Sequence, residues 1–143
     1  MLRKALLVAS ALLLPALSLA NGYVGQWYTV DEETHKKESL VTIWEEGDQL
    51  KGKIVEILDP ASRNAVCEKC KGDNKDQKIE GLTFLWGMKK DGSQYDNGKV
   101  LDPKSGKVYS GSMKLIDGGK KLKLRGYVGF SLLGRTQVWV KAD

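Results

Sequence analysis

The sequence predicts an all-β protein: an antiparallel, eight-stranded, up-and-down β-barrel following a cleaved N-terminal signal peptide. Three observations carry this. Met1–Ala20 has the form of a secretory leader. The chain after it lacks any sustained apolar pattern at i, i+3, i+4 and i+7. In its place stand eight short runs rich in β-branched and aromatic residues, separated by Gly, Asp, Asn and Lys.

The leader begins with Arg3 and Lys4 as a positive n-region. Ala5–Leu17 is apolar apart from Ser10, and Pro15 is a late helix breaker. Ser18-Leu19-Ala20 puts small residues at the two positions a signal peptidase reads, so cleavage is expected after Ala20. The apolar run is shorter than the roughly 20 residues of a spanning helix. No cysteine sits at the cut, which argues against a lipid anchor. The expected mature chain, residues 21–143, is a single β-barrel domain of 123 residues with no transmembrane segment and a periplasmic address. Removing Arg3 and Lys4 leaves 21 basic against 18 acidic residues, a net charge of +3. The lysines are scattered in pairs such as Lys36-Lys37, Lys89-Lys90 and Lys120-Lys121, with no arginine-rich stripe, so nucleic acid is not an expected partner.

Val24–Val30 is the first predicted strand. Ser39–Glu45 is the second, with Leu40, Thr42 and Trp44 on one face and Val41 and Ile43 on the other; Glu46-Gly47-Asp48 turns the chain. Leu50–Leu58 is the third, ended by Asp59-Pro60 because proline cannot donate to a ladder. Ala61–Lys78 is one long charged loop holding both cysteines. Ile79–Met88 is the fourth strand, with Leu82, Phe84 and Trp86 on one face, and Lys90-Asp91-Gly92 turns it. Gln94–Leu101, Lys107–Leu115, Lys121–Val128 and Arg135–Lys141 complete the set. In the seventh, Leu122, Leu124 and Val128 face inward and Lys121, Lys123 and Arg125 outward; Gly129–Gly134 forms a bend. Closing this meander removes its exposed edges, which favours a barrel over a two-sheet sandwich.

Cys67-Glu68-Lys69-Cys70 has the spacing of a metal or redox pair. A zinc site needs more ligands, and the single histidine, His35, is 32 residues from Cys67. A thioredoxin-like role needs a βαβ context that the sequence lacks. Export into an oxidising space favours a Cys67–Cys70 disulfide that stiffens the loop, with a small entropic effect because the ring is tiny. No metal or cofactor is expected.

Catalytic constellations are missing from the sequence pattern. His35 has no serine–aspartate partners in a recognisable set, and there is no phosphate loop or dinucleotide fingerprint. Carboxylates such as Asp31, Glu32, Glu33, Glu45, Glu46 and Asp102 are plentiful, but adjacent acids in turns serve hydration and capping more often than proton transfer. The expectation is therefore a non-enzymatic barrel binding a small apolar or amphipathic ligand, or an envelope component. Trp44, Glu56, Trp86 and Tyr109 are the candidate lining residues. Glu56 shares a face with Ile54 and Leu58: were that face interior, its carboxylate would need a partner such as an arginine. The alternative is a structural or protein-interaction module of the envelope that uses the charged loop 61–78.

Gly25-Gln26-Trp27 near the first strand's start and Arg135 on the last strand resemble the Gly-x-Trp and arginine pair of lipocalins and their calycin relatives. The resemblance implies that Trp27 closes one end of the barrel and that Arg135 packs across it. A wider set of residues runs in order. It comprises Gly52-Lys53-Ile54, the Cys67–Cys70 pair with Gly72, Asp102-Pro103 with Gly106-Lys107 and Tyr109, Leu124-Arg125-Gly126-Tyr127, Leu133-Gly134-Arg135-Thr136 and Trp139. Together these resemble the small exported bacterial proteins of domain of unknown function 2147, over nearly the whole mature chain. That resemblance implies an envelope protein with a lipocalin-like barrel and carries no activity onto particular residues.

Overall fold

The computed structural model describes residues 19–128 and 134–142. The leader through residue 18 and residues 129–133 of the expected bend lie outside them. One helical turn, α1 (Leu19–Tyr23), precedes eight strands. These are β1 (Gly25–Val30), β2 (Lys37–Glu46), β3 (Gln49–Ile57), β4 (Thr83–Asp91), β5 (Gln94–Asp102), β6 (Lys107–Ile116), β7 (Lys121–Tyr127) and β8 (Gly134–Lys141). Each pairs antiparallel with its neighbour in sequence, and β8 returns to β1, so the sheet is a closed up-and-down barrel.

The hairpins β2–β3 and β4–β5 turn at Gly47-Asp48 and Gly92-Ser93, where Gly47 and Gly92 take φ values of 65° and 63°. Such left-handed first positions match the twist of the flanking strands and cost glycine little. The fourth strand begins at Thr83 rather than Ile79. The Ile79 N–H donates to the Ala65 carbonyl at 3.0 Å, and the Gly81 N–H to the Ile54 carbonyl at 2.7 Å, outside the β4 ladder. Both belong instead to the ordered end of the long loop. Helix α1 straddles the expected cut after Ala20, so Asn21–Tyr23 is the part of it that belongs to the expected mature chain.

Alternation puts apolar side chains inside. Trp27, Val41, Ile43, Leu50, Leu85, Met88, Met113, Leu122 and Trp139 are each at most 1 % exposed. Lys53, Lys99, Lys114, Lys121 and Lys123 stand exposed outside. A barrel apolar within and charged without is the reverse of a membrane-spanning one. Part of the interior, beside β5 and β6, is filled by a side chain from β4. Gly98, Gly111 and Gly126 form a row across β5, β6 and β7. The Met88 thioether occupies the space they leave: a Cβ on Gly98 would sit 2.5 Å from its sulfur, and one on Gly111 2.9 Å from its methyl. An unbranched methionine suits such an irregular gap.

Bulges decide which residues face in. Leu40 pairs with Glu56 but Val41 pairs with Ile54, so Val55 and Glu56 together span one step of β2. The extra residue turns Glu56 outward with Leu40 and leaves Ile57 packed on the core. In β4, Gly52 pairs with Leu85 and Leu50 with Met88, so three residues of β4 answer two of β3.

Candidate functional site

The strand directions give the barrel two unlike ends. One holds α1, the tight hairpin turns and the end of β8; the other, the mouth, holds the connections after β1, β3 and β5.

At the first end, fully buried Tyr23 plugs the barrel. Its hydroxyl lies 3.4 Å from the Met113 carbonyl and 3.4 Å from that of Ser93, and accepts from the Leu115 N–H at 3.2 Å. The Trp27 Nε1–H donates to the Tyr23 carbonyl at 2.9 Å, tying α1 to β1. The Tyr95 ring meets Tyr23 edge-on at 4.9 Å. Burial pushes both phenols above their usual pKa. At this end the Tyr23 hydroxyl and the Trp27 indole nitrogen each have a backbone partner.

At the mouth, residues 58–82 form an ordered loop. Cys67 and Cys70 are disulfide-bonded and buried, so the bridge is the loop's hydrophobic anchor as well as its staple. The Cys67 N–H donates to the Gln77 carbonyl at 2.8 Å, and the Asp76 N–H returns to the Cys67 carbonyl at 2.9 Å. Val66 and Lys78 form an antiparallel bridge. The Cys67 sulfur packs 3.5 Å from the Pro103 carbonyl oxygen in the β5–β6 turn. Gly106 of that turn has φ 73°, and any Cβ there would overlap the Lys69 carbonyl. Glycine is therefore what allows the loop to clamp against the turn.

Between clamp and turn lies an open cleft of about 700 Å³. Leu101, Val108, Tyr109 and Val128 supply its apolar wall; Lys69, Lys71 and Lys107 its charge; Asn74 and Ser105 further polar groups. Val108 and Val128 are 51 % and 62 % exposed, the two most exposed large hydrophobic residues described. A smaller, polar cleft of about 460 Å³ runs beside it from Asp73 to Thr83.

The structure scatters the residues selected from sequence as lining. Tyr109 stands in the cleft wall. Trp44 does not line the interior: it alternates with buried Ile43 and pairs with Lys51 on the outer face. Trp86 pairs with exposed Lys99 and is only partly buried, packed against the core's margin, because the β4 bulge gives the interior to Leu85 and Met88. Glu56 is outward and half-exposed; its partner is indeed an arginine, Arg63 at 3.4 Å, but at the surface. Trp27 sits at the plugged end, as the motif implies, while Arg135 does not pack across it. The cation over the Trp27 ring is Lys141, 4.9 Å from the centroid and directly paired with it across β1–β8. Arg135 lies six residues back along β8, a distance of about 20 Å in extended chain. It reaches Glu32 at 3.5 Å, where β1 and β8 are no longer paired.

Lys69, Lys71, Lys107, Leu101 and Gly106 were missed. The alternation of Lys69 and Lys71 about buried Cys70 was the available signal; their approach to Lys107 is a long-range contact. Among the described residues, no three His, Cys, Asp or Glu side chains gather into a metal site. Asp31 and Glu46 are held below the usual carboxylate range. Asp31 accepts the Thr34 and Glu33 N–H groups, each at 2.8 Å, and Glu46 is bound by Lys51. That favours their charged forms, the opposite of a poised general acid. Among the described residues no helix is long and apolar enough to cross a membrane.

The barrel is similar to the solved structure of a protein from the human pathogen Helicobacter pylori said to belong to the lipocalin family. The TM-score is 0.74, with 19 % sequence identity over 90 % of this chain and 85 % of that one. At this identity the likeness speaks for the fold, which is lipocalin-like. No curated protein matches the chain. A family model described as uncharacterized protein conserved in bacteria (DUF2147) matches residues 25–141. The match spans all eight strands and both ends of the barrel, and the chain belongs to that family.

Proposed function

We propose that this is an exported, non-catalytic barrel that binds a small, partly apolar ligand at its mouth. The observation that carries the reading is the cleft between the disulfide loop and the β5–β6 turn, with exposed Val108 and Val128 beside Tyr109. The side chains packed inside count against a ligand held on the barrel axis, since small barrels can be solid. It moves the binding reading to the rim. The leader sequence and the disulfide support a periplasmic address, because thiols stay reduced in the cytoplasm.

Native mass spectrometry of protein recovered from the periplasm tests this. A co-purifying small molecule is expected, and Val108→Glu should release it without unfolding the barrel. No bound molecule, together with no uptake of any apolar probe, overturns the binding reading. A chain retaining Met1 and found in the cytoplasm overturns the export reading.

A further inference from the structure

We infer that the mouth cleft selects an anionic amphiphile: one negatively charged head joined to a short apolar body. This rests on the ligand-binding reading above and adds the sign of the ligand's charge. Lys69, Lys71 and Lys107 line the cleft and no carboxylate does. Among the described residues none of the three is engaged in an ion pair, a state they share with exposed Lys53, Lys99, Lys114 and Lys123; what sets them apart is that one cleft gathers all three. Two of the three flank the buried Cys70, and the third opens β6 after Gly106. The clamp at Gly106 is therefore what brings lysines of two distant segments to one cleft. Three cations around one cleft that no carboxylate lines raise the local potential for anions. The apolar wall at Leu101, Val108 and Val128 has no use for a bare ion such as phosphate. Head and tail are thus specified by different parts of the same cleft.

The test is calorimetric titration of the exported, oxidised protein with decanoate, decanol and decyltrimethylammonium, each below its micelle concentration. Decanoate should bind about tenfold tighter than decanol, with the cationic analogue weakest. Raising salt from about 0.05 to about 0.5 M should shrink the decanoate advantage and leave decanol unchanged. The exposed triple variant Lys69→Gln, Lys71→Gln, Lys107→Gln should bind decanoate and decanol alike, with an unaltered thermal melt. Equal binding of decanoate and decanol by the wild type overturns the charge inference but leaves the ligand reading standing. Decanoate binding that survives the triple variant also overturns it, by placing the head elsewhere. Failure of all three probes removes both readings. Sedimentation with phosphatidylglycerol vesicles while decanoate does not bind overturns the small-molecule form in favour of a membrane surface.

Discussion

The two ends of this barrel are built from the same eight strands and solve opposite problems. At the plugged end each buried polar group has a partner: the Tyr23 hydroxyl meets backbone groups, and the Trp27 indole holds α1. At the mouth, Val108 and Val128 remain in solvent, and among the described residues Lys69, Lys71 and Lys107 have no acidic partner. The seam between β1 and β8 shows the same gradient. Among the described residues its register pairs are Trp27–Lys141 and Tyr28–Val140, continued toward the plugged end by the Ala142 N–H to the Gln26 carbonyl at 3.0 Å; toward the mouth an exposed ion pair, Arg135–Glu32, takes over. Packing energy is thus concentrated away from the cleft. Regions that bind are commonly drawn from the less stable part of a fold.

Five variants should separate the ends, in falling order of effect. Trp27→Ala should cost about 3–5 kcal/mol in denaturant titrations, because it empties the plugged end and frees α1. A loss below about 1 kcal/mol would mean that α1 and Tyr23 do not depend on the indole. Gly106→Ala should cost about 1–3 kcal/mol, since a Cβ cannot coexist with the Lys69 carbonyl. Its signature is local: faster proteolysis within residues 58–82 and loss of cleft binding, with the strand signal in circular dichroism retained. Cys67→Ser with Cys70→Ser should cost at most about 2 kcal/mol through chain entropy, given a ring this small. Hydrogen exchange should then rise in the loop and not in β1; a global rise would show that the bridge supports the whole barrel. Lys141→Met should cost about 0.5–1 kcal/mol for the lost contact with the Trp27 ring. Arg135→Gln should fall within about 0.5 kcal/mol, as exposed ion pairs usually do. If Arg135→Gln proved the more damaging of the pair, the assignment of Lys141 to the barrel-closing role would be wrong.

Much of the fold was legible because its signals are local. Two-residue alternation marked Lys121–Val128 and Ser39–Glu45 as strands, and Gly47-Asp48 and Gly92-Ser93 fell where the turn chemistry pointed. The spacing of Cys67 and Cys70 allowed a metal or redox pair as well; it was the expected export that pointed to the disulfide the structure shows. The face of a residue was legible only while the alternation ran unbroken. In β7 it does as far as Leu124, and Leu122 and Leu124 are buried as expected; Val128, expected inward as well, lies past the end of the strand and is 62 % exposed. In β3 and β4 it does not: Glu56 lies outside and Trp86 is only partly buried.

Local chemistry in the chain thus settled its class and its strand count, because both follow from neighbours a few residues apart; closure, the meeting of β8 with β1, it only favoured. Folding alone determined which residues meet. One extra residue in a bulge reverses a strand's faces, and its position depends on the partner strand. The same long-range packing put Lys141 rather than Arg135 on Trp27, filled the glycine row with Met88, and drew Lys69 and Lys71 to Lys107 across a turn that only glycine permits.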